Sequence, residues 1–118
     1  MLSAKEVLRH VFGYEEFRSG QEAIVEHLIS GEDALILMPT GAGKSLCYQI
    51  PGLVRSGAAV VVSPLVALMH DQVDALRALG VSAVSLHSGM VWDEIKAAEH
   101  ALLRGEIKFL YVSPERFE

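Results

Sequence analysis

Ala34-Leu-Ile-Leu-Met-Pro-Thr-Gly-Ala-Gly-Lys-Ser45 is the stretch that decides the fold. Its first five residues, 34–38, are a continuous apolar run, the pattern of a short strand covered on both faces. The remainder turns through glycines and opens a helix. Such a junction aims successive backbone N–H groups, and the positive end of the following helix, at an anion. Gly41 and Gly43 permit backbone angles and a close approach that a side chain would block. Lys44 then places its charge on the β- and γ-phosphates of a nucleotide, and Ser45 holds Mg²⁺ through its hydroxyl. The stretch is therefore expected to bind a triphosphate, ATP above all. Pro39, Thr40, Gly41, Ala42, Gly43, Lys44 and Ser45 would line the site, with Lys44 as its catalytic residue and Thr40 shaping the loop. The common form of the loop opens with glycine where this chain has Met38.

Downstream, three more apolar runs read as strands: 58–63, 83–86 and 107–112. Helical patterns separate them. Ser63 is placed to cap, and Pro64 to start, a helix whose apolar residues include Leu65, Leu68, Met69, Leu76 and Leu79, ending at Gly80. Trp92, Ile95, Ala98 and Leu102 recur at helical spacing before Gly105. Strands alternating with helices predict an α/β domain with a parallel sheet and crossover helices. Upstream, two capping boxes predict two helices. Ser3 with Glu6 opens one through about Phe12, and Ser19 with Glu22 opens another to about Ser30, where Gly31 supplies a left-handed stop.

The chain has 118 residues, 51% of them hydrophobic and 21% charged, which suits one globular domain or part of one. The apolar runs are too short to span a bilayer and the N-terminus shows no signal pattern, so no membrane partner is expected. Cys47 is the single cysteine, which excludes an internal disulfide. The expected place is the cytoplasm of a cell, or its nucleus. The net charge of −5 argues against a broad basic face for nucleic acid, but leaves room for a narrow groove of backbone N–H groups. Histidines at 10, 27, 70, 87 and 100 show no ligand spacing, and no metal site of their own is expected. Asp71 and Asp74 read as a solvated helix face.

Phe12-Gly-Tyr-Glu-Glu-Phe-Arg-Ser-Gly-Gln21 admits two readings. In one, Phe12 and Phe17 join a small core while Arg18 and Gln21 are solvated. In the other, Tyr14 offers a flat face, Arg18 a planar cation that stacks on a base, and Gln21 a paired donor and acceptor for the N6/N7 edge of adenine.

Taken together, 12–21, Met38-Pro-Thr-Gly-Ala-Gly-Lys-Ser-Leu-Cys-Tyr-Gln-Ile-Pro51, Val62-Ser-Pro-Leu-Val-Ala-Leu-Met-His-Asp-Gln-Val73 and Tyr111-Val-Ser-Pro-Glu-Arg116 resemble the start of a RecQ-type DNA helicase, of superfamily 2. The resemblance runs along essentially the whole chain, in family order. It implies a P-loop, RecA-like fold of which 1–118 is the N-terminal portion, with 1–31 as a helical adenine-recognition preface and 32–118 as the core. It implies ATP and Mg²⁺ as cofactors, 3′ to 5′ movement, and a role in DNA repair and recombination. The implied partner is single-stranded DNA or a duplex with a 3′ single-stranded tail.

Carried over by position, Tyr14 and Arg18 sandwich the adenine and Gln21 reads its edge. Ser63, Pro64, Leu65 and Gln72 fall in a segment that lies along single-stranded DNA, where free N–H groups can meet a phosphate. The alternative is an ordinary crossover helix. Ser113, Pro114, Glu115 and Arg116 resemble a second DNA-contacting motif, although Arg116 can equally form a surface pair. His87 stands where many family members carry asparagine. Cys47 is expected to pack the helix after the loop.

Hydrolysis in this class needs an acidic pair at a strand end. None of the apolar runs read as strands ends in Asp-Glu, and the other helicase domains are expected to be missing from this chain. The polypeptide alone is therefore expected to bind ATP without hydrolysing it at a helicase-like rate. A binding module that holds ATP without turnover is the alternative. A kinase is a weaker one, since no arginine-rich lid is visible.

Overall fold

The computed structural model describes residues 2–38 and 43–117; Pro39, Thr40, Gly41 and Ala42 of the expected loop lie outside the described residues. Two compact units meet in the chain between Ser56 and Gly57.

The N-terminal unit holds three helices, α1 (Ala4–His10), α2 (Gln21–Ile29) and α3 (Lys44–Val54). The predicted capping box opens α1: Ser3 Oγ accepts from the Glu6 N–H, and Glu6 accepts from the Ser3 N–H. Ala4, Val7 and Leu8 of α1, Val25 of α2 and Ile50 of α3 form the core, with Phe12 and Phe17 packed against it. The second box does not form. The N-cap of α2 is Gly20, in a left-handed conformation with φ 83°, and no side chain caps the helix. Ser19 thus falls one residue outside the helix. Gln21 Oε1 instead accepts from the N–H of Arg18, outside the helix, at 2.7 Å.

The apolar run 34–38 forms no strand. Leu35 and Leu37 are each 89% exposed, so the expected two-sided cover is absent too. A strand is held by ladder hydrogen bonds to a neighbour. No strand pairs with 34–38 among the described residues.

The C-terminal unit is the predicted α/β layer. Strands β1 (Ala59–Val62), β2 (Ala83–Leu86) and β3 (Phe109–Val112) alternate with α4 (Val66–Ala78) and α5 (Trp92–Leu103). All pairings are parallel in the order β1-β3-β2, with Phe109 opposite both Ala59 and Ala83. The last strand in sequence is therefore the central one, and all four of its residues are buried. Successive side chains alternate faces. Leu110 and Val112 pack with Leu86 of β2 and Ala98 of α5, leaving Phe109 and Tyr111 for the opposite face.

The start of α4 departs from expectation. Its N-cap is Leu65, not Ser63, and no side chain caps it. The Ser63 hydroxyl instead accepts from the Leu65 N–H at 3.2 Å, a local turn that uses up the capping oxygen two residues early. Gly80 ends the segment with φ 84°, as read.

Candidate functional site

In the N-terminal unit, the start of α3 meets the 18–21 segment. The chain enters that helix through Gly43, its N-cap, at φ 79° and ψ 34° with no side-chain cap. The first N–H groups of such a helix have no intrahelical partner and carry its positive end. Lys44 is the first helical residue and exposed; Ser45 follows, half-buried. The hydroxyl, ammonium and N–H groups of this turn suit an anion with its Mg²⁺. A single hydroxyl beside phosphate oxygens is a normal protein share of a Mg²⁺ shell.

Gln21 connects this turn to the preface. Its side chain is 1% exposed, with both amide ends engaged. Oε1 accepts from the Arg18 N–H, and Nε2 donates to the Gly43 carbonyl at 3.1 Å. The approach is so close that a Cβ on Gly43 would overlap Gln21 Nε2 and come within 4.0 Å of Arg18 Cδ. The amide expected to read the base is thus a buried strut between the 18–21 turn and the turn that opens α3. The solvated reading of Gln21 fails, while Phe12 and Phe17 do join the core.

Tyr14 and Arg18 are both exposed beside this strut's turn. The segment between them is tied back to α1: the Tyr14 N–H donates to Leu8 O at 3.1 Å and Arg9 Nε to Glu15 O at 3.1 Å. Lys5 and Arg9 also reach Glu16, at 3.3 and 3.5 Å. Cys47, one turn into α3, is buried with its Sγ 3.8 Å from Met38 Sδ, and burial pushes its thiol pKa up. It packs the helix as expected.

The C-terminal unit carries the second set of residues. Ser63 and Ser113 follow β1 and β3, which are neighbouring parallel strands, so both segments leave the sheet at the C-terminal ends of its strands. The Ser63 N–H donates to Val112 O and the Ser113 N–H to Leu86 O, each at 3.0 Å. Pro64, Leu65, Pro114, Glu115 and Arg116 are exposed, Ser63 and Gln72 half-buried, and Ser113 buried. Hydrogen bonds from the Ser113 hydroxyl, from its own N–H and from Ser88 hold the Glu115 carboxyl below the usual carboxylate range. Ser88 belongs to the β2–α5 loop, so 113–116 and that loop are joined.

Two contacts escaped the sequence. The Gln21–Gly43 link spans twenty-two positions and has no local signature. His70 and His87, which read as scattered, meet with their Nε2 atoms 3.2 Å apart. Among the described residues, no three metal-ligating side chains gather. No helix there is long and apolar enough to cross a membrane.

Comparison with known proteins matches a family model described as DEAD/DEAH box helicase to residues 18–118. The ATP-dependent DNA helicase RecQ of Haemophilus influenzae is 48% identical over 114 residues, which is 97% of this chain and 18% of that protein. The RecQ protein of Pasteurella multocida gives the same figures. The one from Bacillus subtilis is 44% identical over 114 residues, 96% of this chain and 19% of its own length. The chain thus spans about a fifth of the curated relatives it matches.

Proposed function

Because this chain belongs to the DEAD/DEAH box helicase family, we propose that it is the nucleotide-gripping N-terminal portion of an ATP-dependent DNA helicase of RecQ type. The observation that carries the reading is the Gln21 strut, which holds the 14–21 segment against the turn bearing Lys44 and Ser45. In this proposal α3 and Lys44 bind the triphosphate of ATP and Ser45 contributes its hydroxyl to Mg²⁺. Tyr14 and Arg18 take the adenine ring. Gln21 reads the base edge by exchanging one of its two internal hydrogen bonds for adenine.

The DNA-facing part of the proposal rests on the C-terminal ends of β1 and β3, which lead into 63–65 and 113–116. Single-stranded DNA, or the 3′ tail of a duplex, would lie there by its backbone, contacted by Ser63, Pro64, Leu65, Gln72 and the 113–116 turn. Ser113 is buried, so its part is to shape that turn. Movement from 3′ to 5′, and service in repair and recombination in a bacterial cytoplasm or a nucleus, complete the proposal. The one Asp-Glu pair in the sequence, Asp93-Glu94, lies in the first turn of α5 and not at the end of a strand. The role assigned to these 118 residues is therefore binding, with catalysis of hydrolysis needing further carboxylates.

Titration with a fluorescent ATP analogue tests the nucleotide half. Binding is expected, with loss in Lys44→Ala and a weaker GTP analogue. Gln21→Glu keeps the Arg18 bond but loses the donor, and should erase the ATP-over-GTP preference. Equal binding by wild type and Lys44→Ala refutes the assignment.

A further inference from the structure

His70 lies on α4 and His87 begins the β2–α5 loop. Their ring centroids are 5.1 Å apart, with planes at 60° and the Nε2 atoms 3.2 Å apart. The Gly89 N–H donates to His87 Nδ1 at 3.2 Å. That bond fixes the protons. A ring nitrogen that accepts carries none, so neutral His87 bears its proton on Nε2 and donates it to His70 Nε2. His70 must then carry its own proton on Nδ1. Only two neutral rings satisfy this pattern. A second proton on His70 sets two donors face to face; one on His87 removes the acceptor that Gly89 uses. A metal bridging the two Nε2 atoms would need a lone pair that the Gly89 bond denies to His87.

We propose that the His70–His87 pair is a protonation-sensitive clasp that ties the 87–89 loop to α4 when both rings are neutral and releases it on proton uptake. Asp74 and Arg77 of α4 and Glu94 of α5 line the same groove, and Asp71 follows His70. On its other side the loop is held by Ser88 to Glu115. That carboxyl stays ionised through the range in which imidazoles titrate, because its pKa lies below the usual carboxylate range. The clasp is thus the part of the loop's anchorage that proton uptake by an imidazole disrupts. The loop joins α4 to the 113–116 turn. On the DNA reading given above, on which this consequence rests, its release loosens the grip on the DNA backbone.

Long-range proton–nitrogen spectra of the whole chain read the tautomers directly. At about pH 8, His87 should be protonated at Nε2 and His70 at Nδ1. Exchange of the Gly89 amide, corrected for its intrinsic pH dependence, should quicken roughly five-fold on acidification, the loss of about one hydrogen bond. His87→Asn should abolish that step; His70→Asn, which leaves His87 and its Gly89 bond in place, should move the pH at which it occurs. An Nδ1-protonated His87, a corrected Gly89 exchange indifferent to pH, a step that survives His87→Asn, or one that His70→Asn leaves at the same pH overturns the clasp. If the clasp titrates as described while affinity for a single-stranded oligonucleotide is unchanged by pH, the clasp stands and the DNA assignment falls.

Discussion

Replacing Gly43 with alanine separates the Gln21 strut from ordinary backbone strain. Gly43 sits at φ 79° with Gln21 Nε2 in the space a Cβ would take; Gly31 sits at φ 94° with nothing within 4 Å. Holding alanine in the left-handed region costs about 1–2 kcal/mol. The stiffer unfolded chain returns about 0.4–1 kcal/mol. Gly31→Ala should therefore cost about 1 kcal/mol. Gly43→Ala pays the same and also pushes the amide off the Gly43 carbonyl, leaving a buried donor unmatched for about 1–3 kcal/mol more. The assay is urea unfolding followed by helical circular dichroism, with each substitution also made in Gln21→Ala. The difference between the two glycines should collapse in that background, because the clash has no second partner. Equal costs at Gly43 and Gly31, or a difference that persists without Gln21, would refute the strut.

Three further outcomes are expected. Ser3→Ala should destabilise by about 1 kcal/mol, since Ser3 caps α1, whereas Ser19→Ala should change stability by less than about 0.5 kcal/mol in the same unfolding assay. Burial raises the Cys47 pKa in the folded state, so the unfolded chain loses that proton first. Stability should then fall as pH rises above the ordinary thiol value, and native Cys47 should alkylate far more slowly than in urea; equal alkylation rates would contradict this. Finally, Leu35 and Leu37 are open to solvent in an apolar run, so sedimentation should show association at high concentration that Leu35→Lys with Leu37→Lys relieves. Monomeric behaviour of the unaltered chain throughout would count against it.

What could be read from the chain was what depends on near neighbours. The 3.6-residue recurrence of Ile95, Ala98 and Leu102 placed α5, and the run around Phe109–Val112 placed the central strand, because periodicity records burial directly. The box at Ser3 was legible for the same reason. The one at Ser19 was not: Gly20 takes the N-cap position in a left-handed conformation, which shifts Ser19 one residue outside the helix. Residues 34–38 have the composition of a strand, but a strand is a relation between two segments. The turn proposed to hold phosphate was marked by glycine, lysine and serine at fixed spacing. Its coupling to Gln21 was hidden, as was His70 meeting His87, because both contacts bring together positions distant in sequence.

The central claim is that the first turn of α3 and the 14–21 segment form one nucleotide site. Backbone amide spectra recorded during titration with ATP and Mg²⁺ test it most directly. The account predicts that the amides of Gly43, Lys44 and Ser45 shift together with those of Tyr14, Arg18 and Gln21, along one saturation curve that vanishes in Lys44→Ala. Shifts confined to either group alone, or unchanged by Lys44→Ala, would contradict it.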